Sequence, residues 1–215
     1  RRVYTAFPQV LDRAEWVGNP LRQAFLTQAP PAVRFAGRSG RLRVLIVGGS
    51  LGAQALNQVV PQALALLPEA QRPEVVHQSG AKQIDALRQA YAQAGVEAEL
   101  TPFIEDTASA FAQADLVICR AGASTVTELA AVGVAALFVP FPHAVDDHQT
   151  TNARFLTAQG GGWCVPQSEL TAAALAQRLA NLQRSELLEA AEKAYLQRKT
   201  SAVDVIVKAC QELVA

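Results

Sequence analysis

The sequence predicts an α/β fold built on a doubly wound parallel sheet. From residue 43 onward, six short apolar segments alternate with segments of helical periodicity. The first segment, RVLIVGG (43–49), is rich in apolar and β-branched residues, as expected for a strand that is covered on both faces. Because strands and helices that alternate in this way join through right-handed crossovers, we expect a Rossmann-like sheet with helices on both faces.

The periodicity places each element of this fold. The predicted strands are 43–49, 75–78, 98–103, 115–119, 135–139 and 163–165. The predicted helices are 53–67, 81–93, 106–113, 124–132, 148–158, 171–182, 185–198 and 202–213. Pro61 should kink the first of these helices or free a carbonyl near Asn57. Residues 27–42 are predicted to form an irregular surface segment.

Composition limits the classes of protein to consider. With 215 residues, half of them hydrophobic, the chain can bury one large core, with a fragment of a second domain attached. Lys plus Arg and Asp plus Glu both number 19, so no basic excess favours nucleic acid. No apolar run reaches the roughly 18 residues of a membrane-spanning helix. The absence of methionine, even at position 1, suggests part of a longer polypeptide.

The cysteines do not predict a disulfide or zinc site. Cys119, Cys164 and Cys210 are few and scattered, and no base lies near any of them in sequence. We therefore expect all three to pack in the interior or on a helix face, in a cytosolic protein.

A glycine-rich loop follows the first strand. In VGGSLGAQALN, Gly48, Gly49 and Gly52 permit a tight turn before a helix whose N–H groups would face an anion. The spacing differs from the dinucleotide fingerprint, the next strand ends in HQSG without a carboxylate, and no Walker lysine follows. The loop is either a turn without a ligand or a contact for a diphosphate or sugar.

A second loop, AGAST, follows the fourth strand. Ser124 or Thr125 could cap the next helix, and Glu128 lies three residues after Thr125, as in a capping box. Alternatively, the N–H groups bind the phosphates of a nucleotide diphosphate. Because helical side chains lean towards the N-terminus, Glu128 could then reach the diol of the attached ribose.

A third polar cluster, PFPHAVDDHQTTNA, follows the fifth strand. Its side chains resemble metal ligands in type at four positions: His143, Asp146, Asp147 and His148. The spacing matches no common metal motif, and one aspartate could instead cap the helix near residue 148. Contacts of His148, Gln149 and Asn152 with sugar hydroxyls fit better. His77, at a strand end, is interpreted as structural.

Several segments together resemble the MurG family of glycosyltransferases. They are VGNPLR, VLIVGGSLGAQALN, HQSG and the long run from PFIEDTASAF to DDHQTTNA, in order and with matching spacing over essentially the whole chain. This resemblance implies the C-terminal half of a GT-B fold in glycosyltransferase family 28. The family adds N-acetylglucosamine (GlcNAc) from UDP-GlcNAc to undecaprenyl-pyrophosphoryl-muramyl pentapeptide (lipid I), with inversion and a β-1,4 linkage, to make lipid II in peptidoglycan synthesis.

The resemblance also implies roles for individual residues. The turn of Ala123, Ser124 and Thr125 matches the donor diphosphate site, with Thr125 at the phosphate contact. Glu128 matches the glutamate that binds ribose. Phe103 and Ile104 match the segment whose backbone reads uracil. Ser50 and Arg22 match residues near the phosphates. His148 and Gln149 match positions that contact the GlcNAc hydroxyls. Some relatives have glutamine at the position of His148.

The same resemblance predicts how the chain is divided. Residues 1–20 would be the tail of an N-terminal acceptor domain with the interdomain linker, and 21–200 the UDP-GlcNAc-binding domain. Residues 201–215 would form a helix that packs back across the N-terminal domain. Implied partners are UDP-GlcNAc, that acceptor domain and, through it, lipid I, with no nucleic acid. The implied location is peripheral, on the cytoplasmic face of the bacterial plasma membrane.

The sequence offers only part of what catalysis requires. Transfer needs a base for the acceptor hydroxyl and stabilisation of the departing UDP. Helix N-termini and Arg22 can supply the second without a metal or cofactor. The family's glycine-rich loop with a histidine, important for acceptor chemistry, has no match here, so we expect donor binding with little or no transfer.

Two other functions remain open on the sequence. A UDP-GlcNAc 2-epimerase shares the fold and the nucleotide, but would need its own carboxylates beside the sugar. A donor-binding subunit of a split glycosyltransferase would act with a separate acceptor protein. The segment YTAFP to GNPLR, which resembles a linker, argues against the split subunit.

Overall fold

The computed structural model describes residues 2–49, 52–142 and 147–214. Within these ranges the strands are β1 (Tyr4–Thr5), β2 (Glu15–Trp16), β3 (Arg43–Val47), β4 (Glu74–Gln78), β5 (Glu99–Thr101), β6 (Leu116–Cys119), β7 (Ala135–Phe138) and β8 (Gly162–Cys164). The described part of the chain forms one six-stranded sheet of order β5-β4-β3-β6-β7-β8, parallel throughout. The predicted doubly wound sheet is confirmed.

The helices connect these strands in the predicted order. They are α1 (Gln23–Leu26), α2 (Pro31–Phe35), α3 (Gln54–Ala65), α4 (Ile84–Ala94), α5 (Thr107–Gln113), α6 (Ala123–Val132), α7 (His148–Thr157), α8 (Ala172–Asn181), α9 (Arg184–Leu196) and α10 (Ala202–Val214). Helix α3 continues through Pro61, so this proline does not end it.

The strand order reverses between β3 and β6. From β3 the chain adds β4 and β5 on one side, then returns to add β6, β7 and β8 on the other. Register pairs Val47, the last residue of β3, with Cys119, the last of β6. The loops after these two strands therefore leave the sheet side by side, at the position where open α/β sheets bind ligands.

The sheet separates two apolar layers. Ile46, Ile118 and Leu137 face helices α3, α4, α8 and α9, whereas their neighbours Leu45 and Val117 face α5, α6 and α7. Successive residues of a strand point to opposite faces, so both layers draw on the same apolar runs. Strands β6 and β7 are buried along their whole length. Their burial holds the ends of these strands, and therefore the starts of the loops that follow them, in fixed positions.

The prediction of an irregular surface segment at 27–42 was wrong for residues 31–35. This segment contains α2, whose Pro31 and Phe35 are buried. Arg34 of α2 donates hydrogen bonds to the carbonyls of Ala112 (2.8 Å), Val132 (2.9 Å) and Gly133. These carbonyls lie at the C-terminal ends of α5 and α6. Arg34 therefore stabilises the end of the sheet at which β6 and β7 begin, opposite the end from which their loops emerge.

Residues near the N-terminus pack onto the same body. Residues Tyr4 and Thr5 form the short strand β1, which pairs in parallel with β2. Trp16 and Phe7 both meet the ring of Phe155 in α7, edge to face, with centroids 5.8 and 5.1 Å away. The division at residues 20 and 200, and the docking of α10 on another domain, stay predictions. Among the described residues, no helix is long and apolar enough to span a membrane.

Candidate functional site

The loop after β3 lies directly on the end of β4. Gly49 and Gly52 have φ values of +78° and +76°, which favour glycine. A Cβ atom on Gly52 would collide with the carbonyl oxygen of Ser79, and one on Gly48 would come within 2.9 Å of the Ala53 nitrogen. Gly52 and Gly48 are thus needed for close approach to the segment that ends β4 and to the start of α3, and Gly49 for its positive φ. Ser50 lies outside the described residues, so its phosphate contact stays a prediction.

The loop after β6 leads directly into α6. This helix begins at Ala123, with Gly122 as the N-cap residue, and no side chain caps it. Thr125 is therefore inside the first turn and Glu128 inside the second. The predicted cap by Ser124 or Thr125, and the capping box with Glu128, were wrong, because the N-cap residue Gly122 lies two residues before Ser124 and three before Thr125.

An uncapped helix start leaves donors available. The first helical hydrogen bond at this end runs from the Val126 nitrogen to the Gly122 carbonyl at 3.0 Å. The N–H groups of Ala123, Ser124 and Thr125 consequently have no acceptor within the described chain. They lie at the carboxyl end of β6, beside the loop after β3, in the crevice that forms where the strand order of such a sheet reverses. The helix dipole favours an anion there. Structure thus brings together the three residues that the sequence assigned to a diphosphate.

Glu128 is half-buried beside this turn. Its carboxylate makes no hydrogen bond or ion pair with any residue that the structure describes. Burial raises the pKa of Glu128, and the nearby charge of Arg22 partly opposes that rise. Arg22 itself is exposed and stacks on the ring of Phe25 at 5.0 Å. A carboxylate left partly desolvated and unpaired next to three free donors is typical of a binding site.

The segment after β5 borders the same edge of the sheet. The Phe103 side chain is 66% exposed, whereas Ile104 is partly buried against the core. The Thr101 hydroxyl donates to the Phe103 carbonyl at 2.6 Å, and the Phe103 N–H lies 3.3 Å from the same hydroxyl oxygen. These bonds hold the backbone of this segment in one conformation at the rim of the crevice.

Helix α7 ties the loops after β6 and β7 together. Gln149 accepts hydrogen bonds through Oε1 from the N–H groups of Ala121 (3.3 Å) and Phe141 (3.0 Å). Asn152 donates to the Ala121 carbonyl at 3.0 Å. Both side chains thus contact the backbone of these loops, Gln149 through its amide oxygen and Asn152 through its amide nitrogen. His148 is exposed at the first position of the helix.

The cluster considered for a metal is only partly visible. His143 and Asp146 lie outside the described residues. Among the residues that are described, no group of three or more His, Cys, Asp or Glu side chains could hold a metal ion. Asp147 accepts a hydrogen bond from the Thr150 hydroxyl at 2.7 Å but does not cap α7.

His77 is structural, as interpreted from the sequence. It is fully buried, and burial lowers its pKa to about 3. Its Nε2 lies 3.0 Å from Asn57 Oδ1 and its Nδ1 lies 3.0 Å from the Tyr91 hydroxyl. Asn57 in turn donates to Gln83 Oε1 at 2.7 Å, and the Gln83 side chain packs against Gly52. This buried network supports the first glycine loop from below.

Comparison with known proteins places this site in a family. The family model of the glycosyltransferase family 28 C-terminal domain matches residues 43–207. The chain belongs to this family. It is 68% identical to the UDP-N-acetylglucosamine–N-acetylmuramyl-(pentapeptide) pyrophosphoryl-undecaprenol N-acetylglucosamine transferase of Polaromonas sp. JS666, over 99% of this chain and 55% of that protein.

Two further comparisons agree. The transferase of the same name from Paracidovorax citrulli is 66% identical, over the whole chain and 60% of its own length. The crystal structure of Acinetobacter baumannii MurG superposes with a TM-score of 0.88 at 41% identity, covering 99% of this chain and 60% of that structure. The chain therefore spans a little over half the length of these relatives.

Within this family 28 domain, sequence reasoning missed three residues that shape the site. Gln78 joins the loops after β3 and β5. Arg120 donates to the carbonyls of Val139 (2.9 Å) and Pro140 (3.1 Å) and to Gln167 Oε1 (2.6 Å). Asn19 donates to Thr127 Oγ1 at 3.1 Å in α6. Their position at strand ends or beside a glycine was a usable signal, but their partners are distant in sequence.

Proposed function

We propose that this chain binds UDP-GlcNAc and provides the donor side of a transferase that adds GlcNAc to lipid I, forming lipid II. The observation that carries the proposal is the unpaired Glu128 carboxylate next to the uncapped start of α6. The names of the two relatives and the match to MurG support the choice of donor.

The geometry of α6 suits a nucleoside diphosphate. Thr125 and Glu128 are three residues apart, a separation of about 4.5 Å along the axis. Helical side chains lean towards the N-terminus, so the Glu128 carboxylate points back towards the free N–H groups. A diphosphate on those groups then places its ribose diol beside Glu128, while Phe103 and Ile104 border the base. Gln149 and His148 lie on the opposite side, where we place the sugar.

The departing UDP is stabilised by fixed groups of the chain. Negative charge develops on the leaving diphosphate during transfer, and the N-terminus of α6 already presents aligned N–H groups to it. Arg22 adds a positive charge on the same side. We therefore propose transfer without a metal or other cofactor. The base for the acceptor hydroxyl comes, in this proposal, from an acceptor domain that also docks on the cytoplasmic face of the plasma membrane.

The alternatives fare differently. The names of the reported relatives give no support to a 2-epimerase. A donor-binding subunit of a split transferase would use the same donor site, so the proposal for donor binding holds for it as well. The parent polypeptide's length would distinguish the two arrangements.

Calorimetric titration of the chain with UDP-GlcNAc tests the donor site. Glu128→Ala should weaken binding by about 2 kcal/mol or more, since a half-buried charged hydrogen bond to the ribose is lost. Adding a chelator should leave the affinity of the unaltered chain unchanged.

A matched control is Glu186→Ala. Glu186 is an exposed acid in the first turn of α9, away from the crevice, and its loss should not change binding. Equal affinity of the Glu128→Ala variant and the unaltered chain would contradict the ribose contact. Failure of the unaltered chain to bind UDP-GlcNAc at all would contradict the proposed function.

A further inference from the structure

Gln78 is a buried polar side chain at the centre of the nucleotide edge of the sheet. It is 4% exposed and ends β4, the strand between β3 and β5. Its Oε1 accepts a hydrogen bond from the Gly49 N–H at 3.0 Å. Its Nε2 donates to the carbonyls of Gly49 at 3.1 Å and Pro102 at 3.0 Å.

These bonds allow one orientation of the amide. The carbonyl end faces an N–H group, and the NH₂ end faces two carbonyls, so rotation by 180° would oppose like groups at all three contacts. Both donor hydrogens are used, and the residue is only 4% exposed, so the side chain has almost no surface to offer a ligand. Gln78 can therefore affect a bound nucleotide only through the two backbone segments that it joins.

Those segments belong to different parts of the proposed donor site. Gly49 is in the glycine loop that also contains Ser50, next to the proposed phosphate position. Pro102 directly precedes Phe103 and Ile104, next to the proposed base position. The backbone adds to the link: the Gly48 N–H donates to the Gln78 carbonyl at 3.0 Å, and the Ser79 N–H donates to the Thr101 carbonyl at 3.1 Å.

We propose that Gln78 is a positioning residue that holds the phosphate-side loop and the base-side segment in one fixed relation, and thereby sets both the affinity and the base selectivity of the donor site. The inference rests on the proposed function, because it assumes that a uridine nucleotide spans the two segments. Loss of the amide frees both segments at once, so contacts with the base and the diphosphate weaken together.

Two variants separate this role from general stability. Gln78→Leu keeps the volume of the side chain and removes all three bonds. Gln78→Glu keeps the acceptor for Gly49 but sets a carboxylate oxygen against two carbonyls. UDP and CDP are titrated calorimetrically into the unaltered chain and both variants, and thermal unfolding is followed in parallel.

We expect Gln78→Leu to weaken UDP binding about tenfold or more, and to bring the ratio of UDP to CDP affinity close to one. At pH 8, Gln78→Glu should weaken UDP binding by the same factor. Burial and the two facing carbonyls raise the pKa of the introduced carboxyl. Its protonated form can donate one hydrogen bond again, so UDP affinity relative to the unaltered chain should recover as pH falls towards 5.

The control is Arg34→Met. It removes a comparable set of hydrogen bonds to backbone carbonyls at the opposite edge of the sheet. This variant should lose stability while keeping the UDP affinity and the preference for UDP over CDP. If the role of Gln78 were merely structural, its variants would also lose stability while keeping the UDP affinity and the preference for UDP over CDP.

The outcomes distinguish a failure of the proposed function from a failure of the positioning role of Gln78. An unaltered chain that does not bind UDP overturns the proposed function itself. An unaltered chain that prefers UDP, together with Gln78 variants that keep both the affinity and the preference, overturns the positioning role alone. If Gln78→Leu does not fold, the pH dependence of Gln78→Glu decides the matter, and an affinity that does not recover at low pH overturns the role.

Discussion

At the scale of single residues, His77 has an ionisable ring enclosed by neutral groups. Asn57 donates through its amide nitrogen to Gln83, so its oxygen is the acceptor that faces His77 Nε2. The ring therefore carries its proton on Nε2, and Nδ1 accepts from the Tyr91 hydroxyl. Burial also raises the pKa of Tyr91, which keeps that hydroxyl a donor. A second proton would place a positive charge on this buried ring, and burial disfavours that charged form.

This arrangement predicts a pH-dependent stability. The pKa of His77 is about 3 in the fold, against 6.5 ordinarily, so between these values the unfolded chain binds a proton that the fold does not. Protonation of His77 therefore does not lower the free energy of unfolding above about pH 6.5. Below that pH the free energy of unfolding falls by about 1.4 kcal/mol for each pH unit. Urea unfolding of the unaltered chain and of His77→Gln between pH 7 and pH 4.5 measures the effect.

The comparison of the two proteins isolates one group. All other titrating side chains are present in both, so their contributions cancel in the difference. The free energy of unfolding of the unaltered chain should approach or fall below that of His77→Gln as pH decreases. Parallel curves across this range would contradict a neutral, buried His77.

At the scale of elements, α6 and α8 begin in different ways. Thr171 caps α8 by accepting a hydrogen bond from the Ala174 N–H at 3.1 Å, whereas no side chain caps α6. Thr125→Ala should therefore change the free energy of unfolding by less than about 0.5 kcal/mol. In the proposed site the Thr125 hydroxyl contacts a phosphate, so UDP affinity should fall about tenfold.

Thr171→Ala provides the matched control. Loss of a threonine cap should cost about 1 kcal/mol of stability without a change in UDP affinity. Chemical denaturation and calorimetric titration of both variants test the pair. A destabilised Thr125→Ala variant with normal UDP affinity would mean that Thr125 acts as a cap and not as a ligand contact.

The elements that the sequence predicted well have strong local signals. The presence of the six sheet strands along the chain followed from apolar runs such as residues 115–119, which contain the fully buried β6. The start of α6 was misplaced because Ser124, Thr125 and Glu128 fit a capping pattern. The observed N-cap residue is Gly122, which has no side chain to indicate a helix start. Helix α2 was missed because its five residues depend on distant contacts of Arg34 and Phe35.

The site was predictable only in part for a related physical reason. Thr125 and Glu128 are neighbours on one helix, so their joint role could be inferred from spacing alone. Gln78 and Pro102 are 24 residues apart, and Arg120 and Gln167 are 47 apart. Such contacts arise where parallel strands end at one edge, and a single sequence contains no direct record of which loops meet there.

At the scale of the whole molecule, side chains of the described residues hold the loops around the proposed donor site together. Gln78 joins the loops after β3 and β5, and Gln149 joins those after β6 and β7. Asn19, which precedes the sheet, is bonded to α6 and so links the segment 1–20 to the helix that carries Glu128. The backbone around the proposed nucleotide is thus held from several sides before any ligand binds, which lowers the entropic cost of binding.

Donor binding and transfer should therefore be separable. The chain spans 55–60% of the length of its reported relatives. In the proposed mechanism Glu128 and Arg22 are engaged with the donor, so neither can accept the proton of the acceptor hydroxyl. Incubated with lipid I and UDP-GlcNAc, the 215-residue chain should bind the donor yet form no lipid II, as followed by chromatography of the lipid products. Full-length Acinetobacter baumannii MurG is the positive control. Turnover near 1 per second or faster, within the usual range of enzymes, would place the missing base in this chain.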